Sequence, residues 1–249
     1  MVTLLLLLIL LTCANFCVVL QTVGGLSRYR LMDKVGEGGF GLVSRAVDKT
    51  SNETVAVKLM KFNIQKMGFR IEVLREMMML AKVQKLSDGC KNLVGIREIL
   101  CEGQQLDKWY LVMEFCPLDL EGLIKSSKDA PLRPGQVKDI MRQLLSGLKV
   151  LHENYVIHRD IKSANCLVSP AGIIKLCDFG CARQFGEFCG RLTPYVVSGN
   201  YRSPELLLGL REYGGGADVW PMGGIFAELL QREILFKGKN ELDQLNQII

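Results

Sequence analysis

The 249-residue chain carries 31 Lys and Arg against 26 Asp and Glu, a formal net charge of +5. So weak a balance, with no long or dense Lys/Arg run, argues against a nucleic-acid track. Hydrophobic residues make up 49 % of the chain, enough for one large domain or two small lobes. The nine cysteines are odd in number and lack paired ligand spacing, so neither a disulfide framework nor a zinc site is expected. Cys177 and Cys181 read as ordinary small apolar residues, and a reducing compartment fits this usage.

Residues 1–25 form a hydrophobic leader, with an unbroken apolar run from Leu4 to Leu11. Three readings stay open. A secretory signal would use Thr12 and Ala14 near its cleavage site, although the segment before them has no Lys or Arg. A membrane span is long enough at about 20 residues, and Arg28, Arg30 and Lys34 would hold the rest in the cytosol. The third reading is a start with no targeting role.

From Tyr29 the pattern turns to strands. Val43–Val47 alternates and Thr54–Leu59 is β-rich, with the turn-forming Asp48–Asn52 between them, so a β-meander is expected. Helical periodicity runs from Phe69 to Leu86, with Ile71, Leu74, Met78 and Ala81 on one face. Lys85 to Asn92 reads as a polar loop. Ile96–Leu100 and Tyr110–Phe115 read as further strands. Beyond Pro117 helix dominates: Val137–Glu153 is long and amphipathic. Short strands follow at Cys166–Val168 and Ile173–Leu176, then an irregular segment from Phe179 to Tyr201 and a helix from about Trp220 to Leu230. The expected fold class is α+β, with two lobes: β-rich over 26–115 and mostly helical over 116–249, joined by a hinge near Glu114–Pro117.

Four constellations carry chemistry. The first is Gly36-Glu37-Gly38-Gly39-Phe40-Gly41-Leu42-Val43. The same glycine spacing opens a helix in dinucleotide-binding folds, but here Val43 and Arg45 continue into a strand. A glycine-rich hairpin lets backbone amides lie over phosphates, or is a plain flexible hairpin. The second is Lys58, ending the apolar Val55-Ala56-Val57; a lysine there needs a carboxylate partner. Glu72 and Glu76, one turn apart on the next helix, both qualify. The third, His158-Arg159-Asp160-Ile161-Lys162-Ser163-Ala164-Asn165, matches a phosphoryl-transfer loop with one conservative change. Asp160 is placed to accept a hydroxyl proton, Lys162 to neutralise phosphoryl charge, and Asn165 to offer an amide oxygen to magnesium. The fourth is Asp178-Phe179-Gly180, where Asp178 would hold Mg²⁺ against phosphates in the sparse ligation this ion favours.

In that order and on those elements, the motifs from about Leu26 onward resemble the eukaryotic protein kinases, and most closely the cyclin-dependent kinases of the PITSLRE-type branch. The resemblance implies a bilobal protein-kinase fold, ATP and Mg²⁺, and transfer of the γ-phosphoryl group to Ser or Thr in protein substrates, with proline after the acceptor. Lys162 argues for Ser/Thr over Tyr. Family spacing selects Glu76, in Leu74-Arg75-Glu76, as the partner of Lys58. It implies nucleotide contacts from Val35, Gly36 to Val43, Ala56 and Lys58, with Met113 as gatekeeper. Glu114 and Cys116 would meet adenine through the backbone, Asp119 the ribose, and Leu167 the floor of the adenine site. Thr193 falls at the activating phosphorylation site, where phosphate would pair with Arg159. Val196, Val197 and Arg202 fall where the family shapes the pocket for proline. A cyclin partner and cell-cycle work are implied, with the cytoplasm or nucleus as location, or a membrane tether if residues 1–25 anchor the chain.

The sequence departs from the family at several points. Gly39-Phe40 replaces a Thr-Tyr pair that carries inhibitory phosphates. Gly68–Val73 lacks the Pro and Ser/Thr of the cyclin-facing helix motif. Ser198 replaces a threonine, Asn200 replaces a tryptophan, and Pro221 is expected in the first turn of its helix. The family continues through further helices past Ile249 and pairs the glutamate at Glu205, expected buried, with an arginine there. The sequence therefore reads as a kinase truncated at its C-terminus. A non-catalytic nucleotide-binding or scaffold isoform is the rival to an active enzyme, and a membrane-tethered regulator is a third reading.

Overall fold

A computed structural model describes residues 25–38, 41–60, 71–102, 108–127, 131–185 and 198–249. They fall into two compact units. The first runs to Asp88 and resumes over Gly95–Phe115; the second comprises Gly89–Val94 and Cys116–Ile249.

The first unit is built on an antiparallel sheet of β1 (Tyr29–Gly38), β2 (Gly41–Asp48), β3 (Thr54–Met60), β4 (Ile96–Glu102) and β5 (Lys108–Glu114). The strand order is β1-β2-β3-β5-β4. Alternation on these strands turns Tyr29, Ala46, Val55, Val57, Leu100 and Val112 into one buried cluster, with Leu26 and Tyr110 packed against it. At the far end of the meander, Arg28 holds the buried Asp48 through Nε–Oδ1 (2.9 Å) and Nη2–Oδ2 (2.5 Å). Thr50 N–H donates to the same carboxylate at 2.9 Å. Gly41 has φ +140°, and a Cβ there would stand 2.0 Å from the Leu59 carbonyl oxygen. That hairpin glycine is therefore required by the backbone.

The helix α1 spans Ile71–Asp88. Its buried face holds Met77, Leu80, Ala81 and Val83, whereas Met78, placed inward by the periodicity, is 53 % exposed. The run Met77-Met78-Met79 is apolar on every side, so a helical period cannot locate the inner face there. Ile71 and Leu74 lie where side chains are not described. The expected polar loop at Lys85–Asn92 is also corrected. Helix continues to Asp88, and Asn92 is buried: its Nδ2 donates to Gln143 Oε1 (3.2 Å) and Ile174 O (2.9 Å). Backbone bonds Val94 N–Leu176 O and Leu176 N–Asn92 O, both 2.9 Å, make this segment part of the second unit.

The second unit centres on α3 (Pro134–Glu153), preceded by β6 (Leu118–Asp119) and α2 (Leu120–Ser126). Pro134 opens α3, and Arg133 N–H donates to Gln136 Oε1 at 2.9 Å. Val137, Ile140, Leu144, Leu148 and Leu151 form its buried stripe. Then come β7 (Val156–Ile157), β8 (Cys166–Val168), β9 (Ile174–Leu176) and β10 (Arg183–Gln184). Strands β6-β8-β9 form one small sheet and β10-β7 another. The segment from Phe179 that read as irregular thus holds a short pairing with β7. After α4 (Pro204–Leu207), α5 covers Gly216–Gln231 and α6 Glu241–Ile248.

Because α5 starts at Gly216, well before Trp220, Pro221 lies inside the helix and not in its first turn. It leaves the Ala217 carbonyl without the amide donor a helix normally supplies. Glu205 is half-buried, not buried as expected. Among the described residues, no helix is long and apolar enough to cross a membrane.

Candidate active site

The loop after β7 must turn sharply, and Arg159 does so in the left-handed region with φ +68°, a conformation that costs a non-glycine residue about 1–3 kcal/mol unless its surroundings impose it. Asp218, fully buried on the first turn of α5, imposes it. Its Oδ1 accepts Arg159 N–H at 2.8 Å and its Oδ2 accepts His158 N–H at 2.8 Å. The same Oδ2 lies 3.0 Å from His152 Nε2. Arg159 is further fixed by Nε–Cys181 O (2.7 Å) and Nη1–Tyr213 Oη (3.0 Å). His158 is buried and accepts Asp160 N–H at Nδ1 (3.2 Å) while Nε2 donates to Cys177 O (2.8 Å). Those two contacts define the Nε2–H tautomer.

Asp160 sits at the centre of what this frame builds. Lys162 Nζ lies 2.9 Å from Asp160 Oδ2 and 2.9 Å from Ser198 Oγ. Ser198 in turn donates to Asp160 Oδ1 through its backbone N–H and its Oγ, both at 3.2 Å. Asn165 Nδ2 donates to the Asp160 carbonyl (2.8 Å) and to Oδ2 (2.9 Å). Burial opposes ionisation of Asp160, but the Lys162 hydrogen bond and charge outweigh it, and the carboxyl is held below its ordinary range. An ionised carboxylate beside a lysine and a hydroxyl is fitted to orient an incoming alcohol and receive its proton.

Asn165 spends its Nδ2 on these contacts, which fixes the amide orientation and leaves Oδ1 without a hydrogen bond among the described residues. Asp178 follows Cys177, whose N–H donates to Asn165 O at 3.0 Å. Asp178 itself is left-handed, with φ +62°, and the Phe179 ring packs on His158 at 5.1 Å. The loop thus carries both candidate metal ligands on connected backbone. An amide oxygen and a carboxylate are the oxygen donors a hard divalent cation takes.

Elsewhere in this unit Asp119 and Leu167 are register partners on β6 and β8. Asp119 also caps α2, accepting Gly122 N–H at 2.6 Å. Cys116 is buried. Arg202 is paired with Glu241. In the first unit, Lys58 is buried and lies between Val43 on β2 and Leu111 on β5. Ala56 faces Met113 in register, and the Glu114 Oε1 accepts Gly95 N–H at 2.5 Å. Gly36, Glu37 and Gly38 pair with Val43, Leu42 and Gly41 in the hairpin, and Val35 is exposed. Glu76 lies on α1, its side chain outside what is described. Gly39, Phe40, Thr193, Val196 and Val197 lie outside the described residues.

In the sequence Ser198 stands out only as a substitution, and Asp218 does not stand out as a site residue. The hydroxyl kept at Ser198 was the available signal for the first. For the second it was a lone acid in an otherwise apolar helix start.

A model of the protein kinase domain matches residues 29–249. The chain is 44 % identical over 229 residues to mouse "Cyclin-dependent kinase 11B", covering 92 % of this chain and 28 % of that protein. It is 41 % identical over 236 residues to the fruit-fly (Drosophila melanogaster) "Serine/threonine-protein kinase PITSLRE", covering 94 % and 24 %. To rice (Oryza sativa subsp. indica) "Cyclin-dependent kinase G-2" it is 41 % identical over 229 residues, covering 92 % and 31 %. The chain therefore spans between 24 % and 31 % of the length of these three relatives. On the loop geometry and these matches together, the chain belongs to the protein kinase domain family.

Proposed function

We propose that this chain is a protein serine/threonine kinase of the cyclin-dependent type, moving the γ-phosphoryl group of ATP to a Ser or Thr hydroxyl. The observation that carries this reading is the contact set of Asp160 with Lys162, Ser198 and Asn165. The acceptor hydroxyl gives its proton to Asp160 as its oxygen bonds to the γ-phosphorus, and the bond to the β-phosphate breaks to leave ADP. Lys162 offsets the charge on the moving group, and Ser198 keeps lysine and aspartate in mutual contact. Asn165 Oδ1 and the Asp178 carboxylate would hold Mg²⁺, which when bound neutralises phosphate charge. From the first unit, Lys58 and the glycine hairpin are assigned to the nucleotide phosphates, Glu76 to Lys58, and Ala56, Met113 and Glu114 to the base.

A phosphate on Thr193 would find Arg159 with Nη2 uncommitted among the described residues. Val196, Val197 and Arg202 are assigned to a proline after the acceptor. The names of the mouse and rice relatives connect those two with cyclins; in this chain a cyclin would have to be met without the Pro and Ser/Thr lacking at Gly68–Val73. Cytoplasm or nucleus is the location this activity implies.

Matched peptides carrying Ser-Pro, Thr-Pro, Ser-Ala and Tyr-Pro, incubated with labelled MgATP, test the assignment. Transfer to the first two above the others is expected. Equal transfer to the tyrosine peptide would overturn the Ser/Thr reading, and equal transfer to Ser-Ala the assignment of the proline pocket.

A further inference from the structure

The second unit buries a second polar cluster behind the catalytic loop. Ser163, two residues before Asn165, is 1 % exposed; Glu228 on α5 is 3 % exposed, and Tyr201 6 %. Their contacts close a triangle. Ser163 Oγ lies 3.0 Å from Tyr201 Oη and 3.0 Å from Glu228 Oε1, and Tyr201 Oη lies 2.7 Å from Glu228 Oε2. Among the described residues, no other side chain hydrogen-bonds to any of these oxygens.

Proton counting decides what the triangle is. Each hydroxyl supplies one proton. With Glu228 ionised, Ser163 and Tyr201 each donate to one carboxylate oxygen. The Ser163–Tyr201 contact is then two oxygens at 3.0 Å with no proton between them. A carboxylic acid supplies the third proton: Glu228 donates to Tyr201, Tyr201 to Ser163, and Ser163 back to Glu228. Every contact is then a hydrogen bond and every buried oxygen is satisfied.

We infer that Glu228 is a protonated, positioning carboxylic acid whose proton closes a hydrogen-bonded ring between the catalytic loop and the Gly199–Tyr201 turn that follows Ser198. Burial acts in the same direction and outweighs the Tyr201 and Ser163 hydrogen bonds, which favour the ionised form, so the Glu228 carboxyl stands above its ordinary range. The titratable and charged groups around it are Tyr201, Cys166 on β8, and Glu121 and Lys125 on α2. Glu121 favours the neutral acid and Lys125 opposes it, but Lys125 is exposed and paired with Glu121. Ser163 adjoins Lys162, and Tyr201 follows Ser198 by three residues. The ring therefore sets the spacing of the two groups that clamp Asp160.

The proton count stands apart from whether the chain transfers phosphate, so its test does not use activity. Infrared difference spectra of the full chain and of Glu228→Gln should show one protonated-carboxyl band, lost in the variant. Gln can replace both Glu228 contacts, donating from Nε2 to Tyr201 and accepting from Ser163 at Oε1, which leaves the Tyr201 proton for Ser163. Between the ordinary carboxylate range and the raised value, the folded protein holds a proton the unfolded chain has released, so stability falls as pH rises there. Glu228→Gln should flatten that slope and melt within about 2 °C of the native chain at neutral pH. Glu228→Ala, which strands both hydroxyls, should melt roughly 5 °C lower or more. An unchanged carboxyl band with an unchanged pH slope in Glu228→Gln would overturn the inference, as would Gln melting as low as Ala.

Discussion

Replacing Asp218 by asparagine isolates the part of the catalytic-loop frame that lies furthest from it in sequence. The carboxylate accepts two backbone N–H groups at 2.8 Å, one on each oxygen. Whichever way the introduced amide turns, its NH₂ must face either His158 N–H or Arg159 N–H, donor against donor. One hydrogen bond to a charged acceptor is lost and one buried donor is left unpaired, together about 2–4 kcal/mol. Arg159 then loses part of what holds it at φ +68°. For a chain of this size that loss lowers the melting temperature by roughly 5–15 °C. Thermal unfolding followed by near-UV circular dichroism measures it, with Asp218→Ala, which loses both acceptors, expected lower still. If Asp218→Asn melts within about 2 °C of the native chain, the left-handed loop does not depend on this carboxylate and the frame as described is wrong.

The clamp on Asp160 predicts a graded series at Ser198. Ser198→Ala removes the hydroxyl between Lys162 and Asp160 and should lower kcat by about tenfold or more with KM for ATP little changed, while Ser198→Thr, which keeps the hydroxyl, should stay within a few-fold. In the first unit, Arg28 depresses the Asp48 carboxyl chiefly by hydrogen bonding. A depressed carboxyl adds stability at pH values above its unfolded value and loses it as pH falls through the folded one. Asp48→Asn should therefore cost about 1–2 kcal/mol at neutral pH, discounted because Arg28 is half-exposed, and should shallow the acid limb below about pH 4, as urea unfolding at stepped pH would show.

The loop His158–Asn165 was legible because its chemistry needs fixed residue types at short spacing, and local motifs survive without knowledge of packing. The hairpin could be told from a helix-opening turn because Val43 and Arg45 continue as strand. What escaped was set by contacts distant in sequence. Asp218 and Ser198 reach the loop from 59 and 38 positions away, and no local period records that. Asn92 read as loop because a buried polar residue and an exposed one look alike until Gln143 and Ile174 are placed around it. The α5 start was missed because Gly214-Gly215-Gly216 reads as a breaker, whereas helix begins at Gly216 and carries Pro221 inside it.

Transfer of labelled phosphate from MgATP to a Ser-Pro or Thr-Pro peptide, by the native chain and by Asp160→Asn, decides whether Asp160 receives the acceptor's proton. The native chain should transfer phosphate and the variant should lose about 10²-fold or more in kcat, with ATP still bound by both. Equal transfer by both would contradict the role given to Asp160. No transfer by a folded, ATP-bound native chain would contradict the proposal that it is a kinase.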